Sequence, residues 1–505
     1  MERSSGILMH ISSLPSKYGI GTLGKAAYEF ADFLKESGQK YWQVLPLSPA
    51  GGGNSPYSSY STFAGNPLFI DLELLIQDGL LTREYVESFD WGDGTGATEK
   101  PDEVDNQHVD FARVTAGRKA VLHTAFENGM DRDFDAVNNF LWENAWLEDY
   151  ALYMALKDHF DQLPWQQWPD EDIRKRKPEA MQQYLKLLRH EVDYHIYVQY
   201  LFYKQWNELR AYIKKQGIRL IGDVPIYVAM DSADSWREPQ FFQLDDRAIP
   251  EAVAGVPPDY FSEEGQLWGN PLYDWEAMRA DGYGWWIRRI EGAEKLFDVI
   301  RIDHFRAFES YWAVPYGAKS AKEGEWRKGP GLNLLNVLKN WFYGLDYIAE
   351  DLGILTPEVE DLRRAIGFPG MNILEFAFDA NGSSKYLPHR LEKNSICYAG
   401  THDNDTIYGW WTDPGVSDAD KAFATAYLGL NKEEGPVLGM LRGGLSCPSD
   451  LFVAQMQDWL GLGSGARMNV PGVAEGNWTW RMKPAATTDA LAALIKRYCQ
   501  MYDRY

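Results

Sequence analysis

Short β-forming runs that end in acid recur along this chain, and they constrain its fold more than any other feature. They are "YWQVLPL" from Tyr41, "IRLIGDV" from Ile218, "FDVIRID" from Phe297, "DYIAED" from Asp346, "NILEFAF" from Asn372 and "ICYAGTHD" from Ile396. Helical stretches separate them. "LNLLNVLKNWF" from Leu332 follows the breaker "KGPG", and "TPEVEDLRRAIG" supplies Thr356 as N-cap, Pro357 in the first turn and Gly367 as a stop. Strands alternating with helices read as βα units around a parallel sheet. Asp223, Asp303, Glu350 with Asp351, and Asp403 all fall at the ends of such runs. If the sheet closes, these acids meet at the C-terminal rim, where barrel enzymes assemble their sites.

Side chains alternate along a strand, so Val299, Arg301 and Asp303 share one face and Ile300 and Ile302 the other. The isoleucines would then meet the helices, and the Arg and Asp would face the barrel interior near its mouth. The stretch from about 110 to 215 differs: Trp142, Trp146, Tyr150, Tyr153 and Leu156 recur at helical spacing, as do Val198, Phe202, Leu209 and Ile213. Inserted helices are expected there. Residues 51–66, rich in Gly, Ser and Asn, read as a surface loop after the first strand.

At 505 residues the chain could hold several domains or one barrel with insertions. Its 73 acidic and 50 basic residues give a net charge of −23, which argues against a nucleic-acid partner. No run of 18 or more apolar residues and no basic, apolar leader is visible, so a membrane partner is not expected either. The three cysteines, Cys397, Cys447 and Cys499, lack CxxC spacing, so neither disulfides nor zinc is expected and a reducing cytoplasm fits. Aromatics make up 14% of the chain and become candidates for sugar stacking where they sit in loops.

Two carboxyl groups across a glycosidic bond perform glycoside chemistry: one attacks the anomeric carbon and the other, protonated, gives its proton to the leaving oxygen. Arg301 beside Asp303 would favour the ionised form, which makes Asp303 the candidate nucleophile. Glu350, near other carboxylates, would be held protonated for acid duty. The competing reading is an ion-pair network among Arg301, Asp303, Arg306 and Glu309. The presence of acids at other strand ends speaks against it. Asp351 and Asp405 read as structural, and His304 and His402 as hydrogen-bonding groups. No metal-ligand set and no phosphate-cradling motif occurs, so no cofactor is expected.

Longer stretches carry a resemblance that covers nearly the whole chain: "HISSLPSKYGIGTLG", "WQVLPLSP", "NSPYSSYSTFAGNPLFIDL", "GDVPIYVAMDSADSW", "GVPPDYFSEEGQLWGNPLY", "RIDHFR", "AEDLG", "GFPGMNILEFAF", "THDNDT" and "RMNVPG". In these it resembles the amylomaltases, the 4-α-glucanotransferases or disproportionating enzymes related to the α-amylases. One departure is Ala307, where glycine is commoner in that family. The resemblance implies Asp303 as nucleophile, Glu350 as general acid/base and Asp403 as the acid that stabilises the oxocarbenium-like transition state. It implies substrate contacts from Ser55, Tyr57, Asp223, Gln266, Trp268, Arg301, Asp379 and His402. Trp268 and Tyr57 also suit sugar stacking independently, because both fall in Gly-rich polar stretches.

The fold it implies is a (β/α)8 TIM barrel of the α-amylase type with inserted, largely helical subdomains and no C-terminal β-sandwich. Residues 1–505 would form one catalytic domain, with insertions within about 75–215 and an active-site loop over about 250–275. The implied reaction transfers a segment of an α-1,4-glucan to the 4-hydroxyl of glucose or of another glucan. Maltooligosaccharides would be substrates, and the double displacement would pass through a glucosyl-Asp intermediate. The catalytic residues alone leave an α-1,4-glucan hydrolase open, and a non-catalytic glucan-binding protein is the reading from another class.

Overall fold

The computed structural model describes residues 2–92, 107–258, 263–353 and 355–505. Its strands, in chain order, are β1 (Ser4–Leu8), β2 (Tyr41–Gln43), β3 (Gln107–His108), β4 (Arg219–Val224), β5 (Ala252–Val256), β6 (Gln266–Pro271), β7 (Val299–Ile302), β8 (Ser310–Pro315), β9 (Glu325–Lys328), β10 (Asp346–Ala349), β11 (Gly370–Ile373), β12 (Ser395–Tyr398), β13 (Leu451–Gln455) and β14 (Trp480–Arg481). Eight of them close into a barrel of order β1-β13-β12-β11-β10-β7-β4-β2, and every pairing is parallel. This is the (β/α)8 barrel. Its strands are buried on both faces, as a sheet wrapped by helices requires.

The seam of the barrel joins the first strand to the last: Ser4 through Leu8 pair with Leu451 through Gln455. The polar start of β1 is satisfied there. Ser5 donates to the Arg504 carbonyl at 2.8 Å, and the buried Arg504 guanidinium donates to the carbonyls of Ser4, Leu445, Cys447, Ser449 and Asp450. Gly6 is required, since a Cβ at that position would lie 2.8 Å from the Cβ of Tyr41 on the next strand. The loop 51–66 therefore follows the second barrel strand, not the first.

Helices appear where their sequence signals are. Leu332–Trp341 is one, and Pro357–Ile366 is another, with Thr356 in extended backbone before it and Gly367 left-handed at φ 84° after it. The Thr356 side chain makes no capping hydrogen bond to the helix. Between β2 and β4 run the long helices Phe111–Glu143, Leu147–His159 and Arg189–Lys215. Val198, Phe202, Leu209 and Ile213 are buried as their spacing predicts. The other aromatic series crosses a break: Asn144 ends one helix, its Nδ2 donating to the Phe140 carbonyl at 2.8 Å, and Trp142 before it is 88% exposed while Tyr150 and Tyr153 after it are buried. Within the predicted insertion, residues 93–106 lie outside the described residues.

Two excursions on the C-terminal side of the barrel fuse into one antiparallel sheet of order β6-β5-β8-β9. β5 and β6 follow barrel strand β4, whereas β8 and β9 follow β7, and Ala252–Gly255 pair with Pro315–Trp312 to join them. The segment expected as a loop over 250–275 is thus built around two strands, β5 and β6, with residues 259–262 outside the described residues. "NILEFAF" is strand only as far as Ile373, because Leu374–Ala377 turns into a 3-10 helix. The described residues after β13 add β14 and helices, and contain no β-sandwich.

Candidate active site

The register of three neighbouring barrel strands brings the acids together. Asp223 on β4 is level with Arg301 on β7, and Ile302 at the end of β7 is level with Ala349 at the end of β10. The next residues, Asp303 and Glu350, therefore leave adjacent strands side by side. Two main-chain bonds fix this step: Glu350 N–H donates to the Ile302 carbonyl and Phe305 N–H donates to the Glu350 carbonyl, both at 3.0 Å.

Arg301 is buried and holds two of the acids. Its Nη1 donates to both oxygens of Asp223 at 2.7 Å and to Asp303 Oδ1 at 2.8 Å. A guanidinium shared in this way keeps the Asp303 carboxylate fixed and charge-compensated. Burial raises the pKa of Asp223, with Arg301 opposing it. Asp223 Oδ2 also accepts from the Tyr57 hydroxyl at 2.7 Å. Tyr57 stacks on His402 at 5.0 Å between ring centroids, and Ser55 shapes the turn by accepting from the Tyr57 N–H at 3.3 Å.

Glu350 is set up differently. Its Oε2 accepts from the His304 N–H at 2.8 Å and its Oε1 from the Leu352 N–H at 2.9 Å. These two bonds and Arg301 favour the carboxylate, but burial, and after it the nearby charge of Asp303, push its pKa up to about 8. Neighbouring charge was the expected cause, and desolvation is the larger one. His304 adopts a left-handed backbone (φ 54°), which aims its N–H at Glu350, and burial lowers its imidazole pKa to about 4, so the ring is neutral.

Asp403 follows β12. Its Oδ1 accepts from Asn469 Nδ2 at 2.6 Å, His402 Nε2 lies 3.4 Å from its Oδ2, and Arg467 Nη2 donates to its carbonyl at 2.5 Å. Asn469 and Arg467 belong to the family-like stretch "RMNVPG", and sequence reasoning assigns neither a role. Nothing local in the sequence signals that an amide some distance along the chain grips this acid. Replacing Asn469 by Ala removes a bond to a charged group and is expected to lower kcat roughly 10- to 100-fold with the fold intact, measured by transfer kinetics beside a thermal melt.

Gln266 and Trp268 sit on strand β6, not on a loop, and are joined by a bond from Trp268 Nε1 to Gln266 Oε1 at 3.0 Å. Trp268 is 38% exposed and meets the His304 ring edge-on at 4.8 Å. Asp379 stands apart. Its carboxylate accepts from the N–H groups of Asn381 and Ser384, each at 2.9 Å, so it closes its own turn, and no described contact joins it to the other acids. Asp351 and Asp405 are structural: Asp351 accepts from Met371 N–H and pairs with Arg363, and Asp405 accepts from Thr406 N–H and the Ser464 hydroxyl. Among the described residues, no three His, Cys, Asp or Glu side chains are grouped so as to hold a metal ion.

A fixed carboxylate beside a protonated one at a barrel mouth is the equipment of glycoside chemistry. A family model described as 4-alpha-glucanotransferase matches residues 9–488. The chain belongs to the 4-alpha-glucanotransferase family. It is 45% identical to the 4-alpha-glucanotransferase of Clostridium butyricum, over 98% of this chain and 100% of that one. It is 43% identical to that of Thermus thermophilus, over 100% and 99%. An amylomaltase from Streptococcus agalactiae, solved in complex with acarbose, superposes with a TM-score of 0.95 at 40% identity over the full length of both chains. Glycosyl transfer, not binding alone or hydrolysis, is the chemistry these relatives support for this enzyme.

Proposed function

We propose that the enzyme transfers segments of α-1,4-glucans by a retaining double displacement in which Asp303 is the nucleophile, Glu350 the acid/base and Asp403 the group that steadies the developing positive charge. The observation that carries this reading is the contrast between two adjacent carboxyls. Asp303 is compensated by Arg301, while Glu350, half-buried at the barrel mouth, is desolvated to a pKa of about 8 and therefore holds a proton at neutral pH.

In the first step Asp303 attacks the anomeric carbon, the 4-linked glucan departs, and Glu350 gives its proton to the leaving oxygen. In the second, the ionised Glu350 takes the proton from an acceptor hydroxyl, which attacks the glucosyl-Asp303 ester. Arg301, Asp223, Tyr57 and His402 form one connected set that fixes the donor side of the site, and Trp268 offers a ring for stacking. Asp379, engaged within its own turn, and Ser55, which shapes the Tyr57 turn, serve as secondary contacts. Maltooligosaccharides are the donors, and glucose or a second glucan the acceptor. The acarbose bound in the Streptococcus agalactiae amylomaltase accords with this.

The barrel and its insertions act as a single catalytic unit in this reading. The location is the cytoplasm: all three cysteines are free and buried, as a reducing compartment permits, and no helix among the described residues is long and apolar enough to cross a membrane.

Maltotriose alone, without added metal, tests the reading. A ladder of shorter and longer oligosaccharides with constant total reducing ends is expected. Shorter products only, with rising reducing ends, would mean that water and not sugar resolves the intermediate.

A further inference from the structure

The antiparallel sheet beside the barrel mouth sends a tryptophan back to the active-site turn from each of its two outer strands. Trp268 on β6 meets His304, and Trp326 on β9 meets Arg306. Both partners lie on the stretch that begins at Asp303. The Arg306 guanidinium covers one face of the Trp326 indole at 4.0 Å from the ring centroid, and Trp312, the cross-strand partner on β8, braces it edge-on at 5.1 Å. Trp312 is itself fixed by donating from Nε1 to the Ala321 carbonyl at 2.8 Å. Trp326 is nonetheless 43% exposed. A ring locked on one side and at its edge, yet open elsewhere, is a preorganised stacking surface.

Its position points to the acceptor. Arg306 directly follows His304 and Phe305, whose N–H groups donate to the Glu350 carboxyl at 2.8 Å and to the Glu350 carbonyl at 3.0 Å. The loop after β9 is tied to the same turn, Gly331 N–H donating to the Phe308 carbonyl and Gly329 N–H to the Glu309 carbonyl, both at 2.8 Å, and Lys328 pairs with Glu309. In the double displacement, the sugar whose oxygen receives the proton from Glu350, and later gives one back, sits on the Glu350 side of the cleaved bond. We infer that Trp326, backed by Arg306, is a stacking platform for an outer glucose unit of the acceptor glucan, and that it sets the enzyme's preference for acceptors longer than glucose. This rests on Glu350 being the acid/base.

The test uses the full-length enzyme with a fixed saturating maltooligosaccharide donor and labelled acceptors, glucose in one series and maltotriose in the other. For Trp326→Ala the KM for maltotriose is expected to rise about tenfold while kcat stays within about threefold, and the KM for glucose to move less than about threefold. Trp326→Phe, which keeps a ring, should recover most of the maltotriose affinity. Trp341→Ala, at an exposed tryptophan that ends the helix leading into the opposite end of β10, should change neither series. Equal losses for both acceptors in Trp326→Ala would mean that the ring only props the Arg306 turn, and no loss in either would mean that it touches no sugar. Both outcomes overturn the inference. Should the alanine variant not fold, Trp326→Leu and Trp326→Phe decide by the same ratio. Failure of the underlying reading looks different: Glu350→Gln would then transfer to both acceptors at the wild-type rate.

Discussion

Asp303→Asn is expected to lower kcat by about 10⁴-fold or more while leaving the protein folded, because it removes the proposed nucleophile and keeps nearly the same shape. Its effect should be a loss of chemistry, seen as an unchanged binding isotherm for a maltooligosaccharide alongside absent product. The companion Asp303→Ala opens space beside Arg301, and azide supplied there should attack the donor directly and give the β-glycosyl azide, with inversion. A variant retaining more than about one hundredth of wild-type kcat would remove Asp303 from the nucleophile's role.

Glu350→Gln is expected to lower kcat for maltotriose by about 10²- to 10⁴-fold. An α-maltosyl fluoride donor, whose leaving group needs little protonation, should still load the enzyme, and azide should then release the α-glycosyl azide with net retention. The anomer of the azide product thus separates the two carboxyls. In the unmodified enzyme the proton on Glu350 is present below its pKa of about 8 and lost above it, so kcat/KM should fall as pH rises through about 8, tenfold per unit beyond it. The Gln side chain has no such proton to lose. An alkaline limb that persists unchanged in Glu350→Gln would assign it to another group.

Much of this site is legible in the sequence because barrel geometry turns strand endings into neighbours. The acids after "IRLIG", "DVIRI" and "DYIA" could be placed on one rim from period and spacing, and Arg301 could be placed on the face of Asp303 by alternation alone. What escaped were features that depend on distant contacts. β1 reads poorly as a strand because Ser4, Ser5 and Gly6 open it, and several of its polar groups find their partners in Asp450, Cys499 and Arg504 from the far end of the chain. Asn469 carries no local mark of its bond to Asp403. The pairing of β5 with β8, which turns two separate loops into one wall, depends on two barrel strands lying side by side. The elevated pKa of Glu350 could be expected in direction, yet its main cause, burial, is a property of the packed mouth. Asp379 shows the reverse case: the acid directly follows the family-like stretch "GFPGMNILEFAF", but its oxygens are taken by its own turn.

The seam between β1 and β13 also bears on how the protein is made. In a barrel closed by its first and last strands, the strand synthesised earliest is paired on one side only until a partner about 440 residues later has left the ribosome. At synthesis rates of roughly 5–20 residues per second that is about 20 to 90 seconds. For that time β1 presents an open edge, the kind of template that recruits other chains. Its five residues include two serines and a glycine, which makes it a poor edge for self-association during the wait. The weak strand signal of β1 and its late pairing are then two sides of one design, in which the segment left longest without a partner opens on serine and glycine.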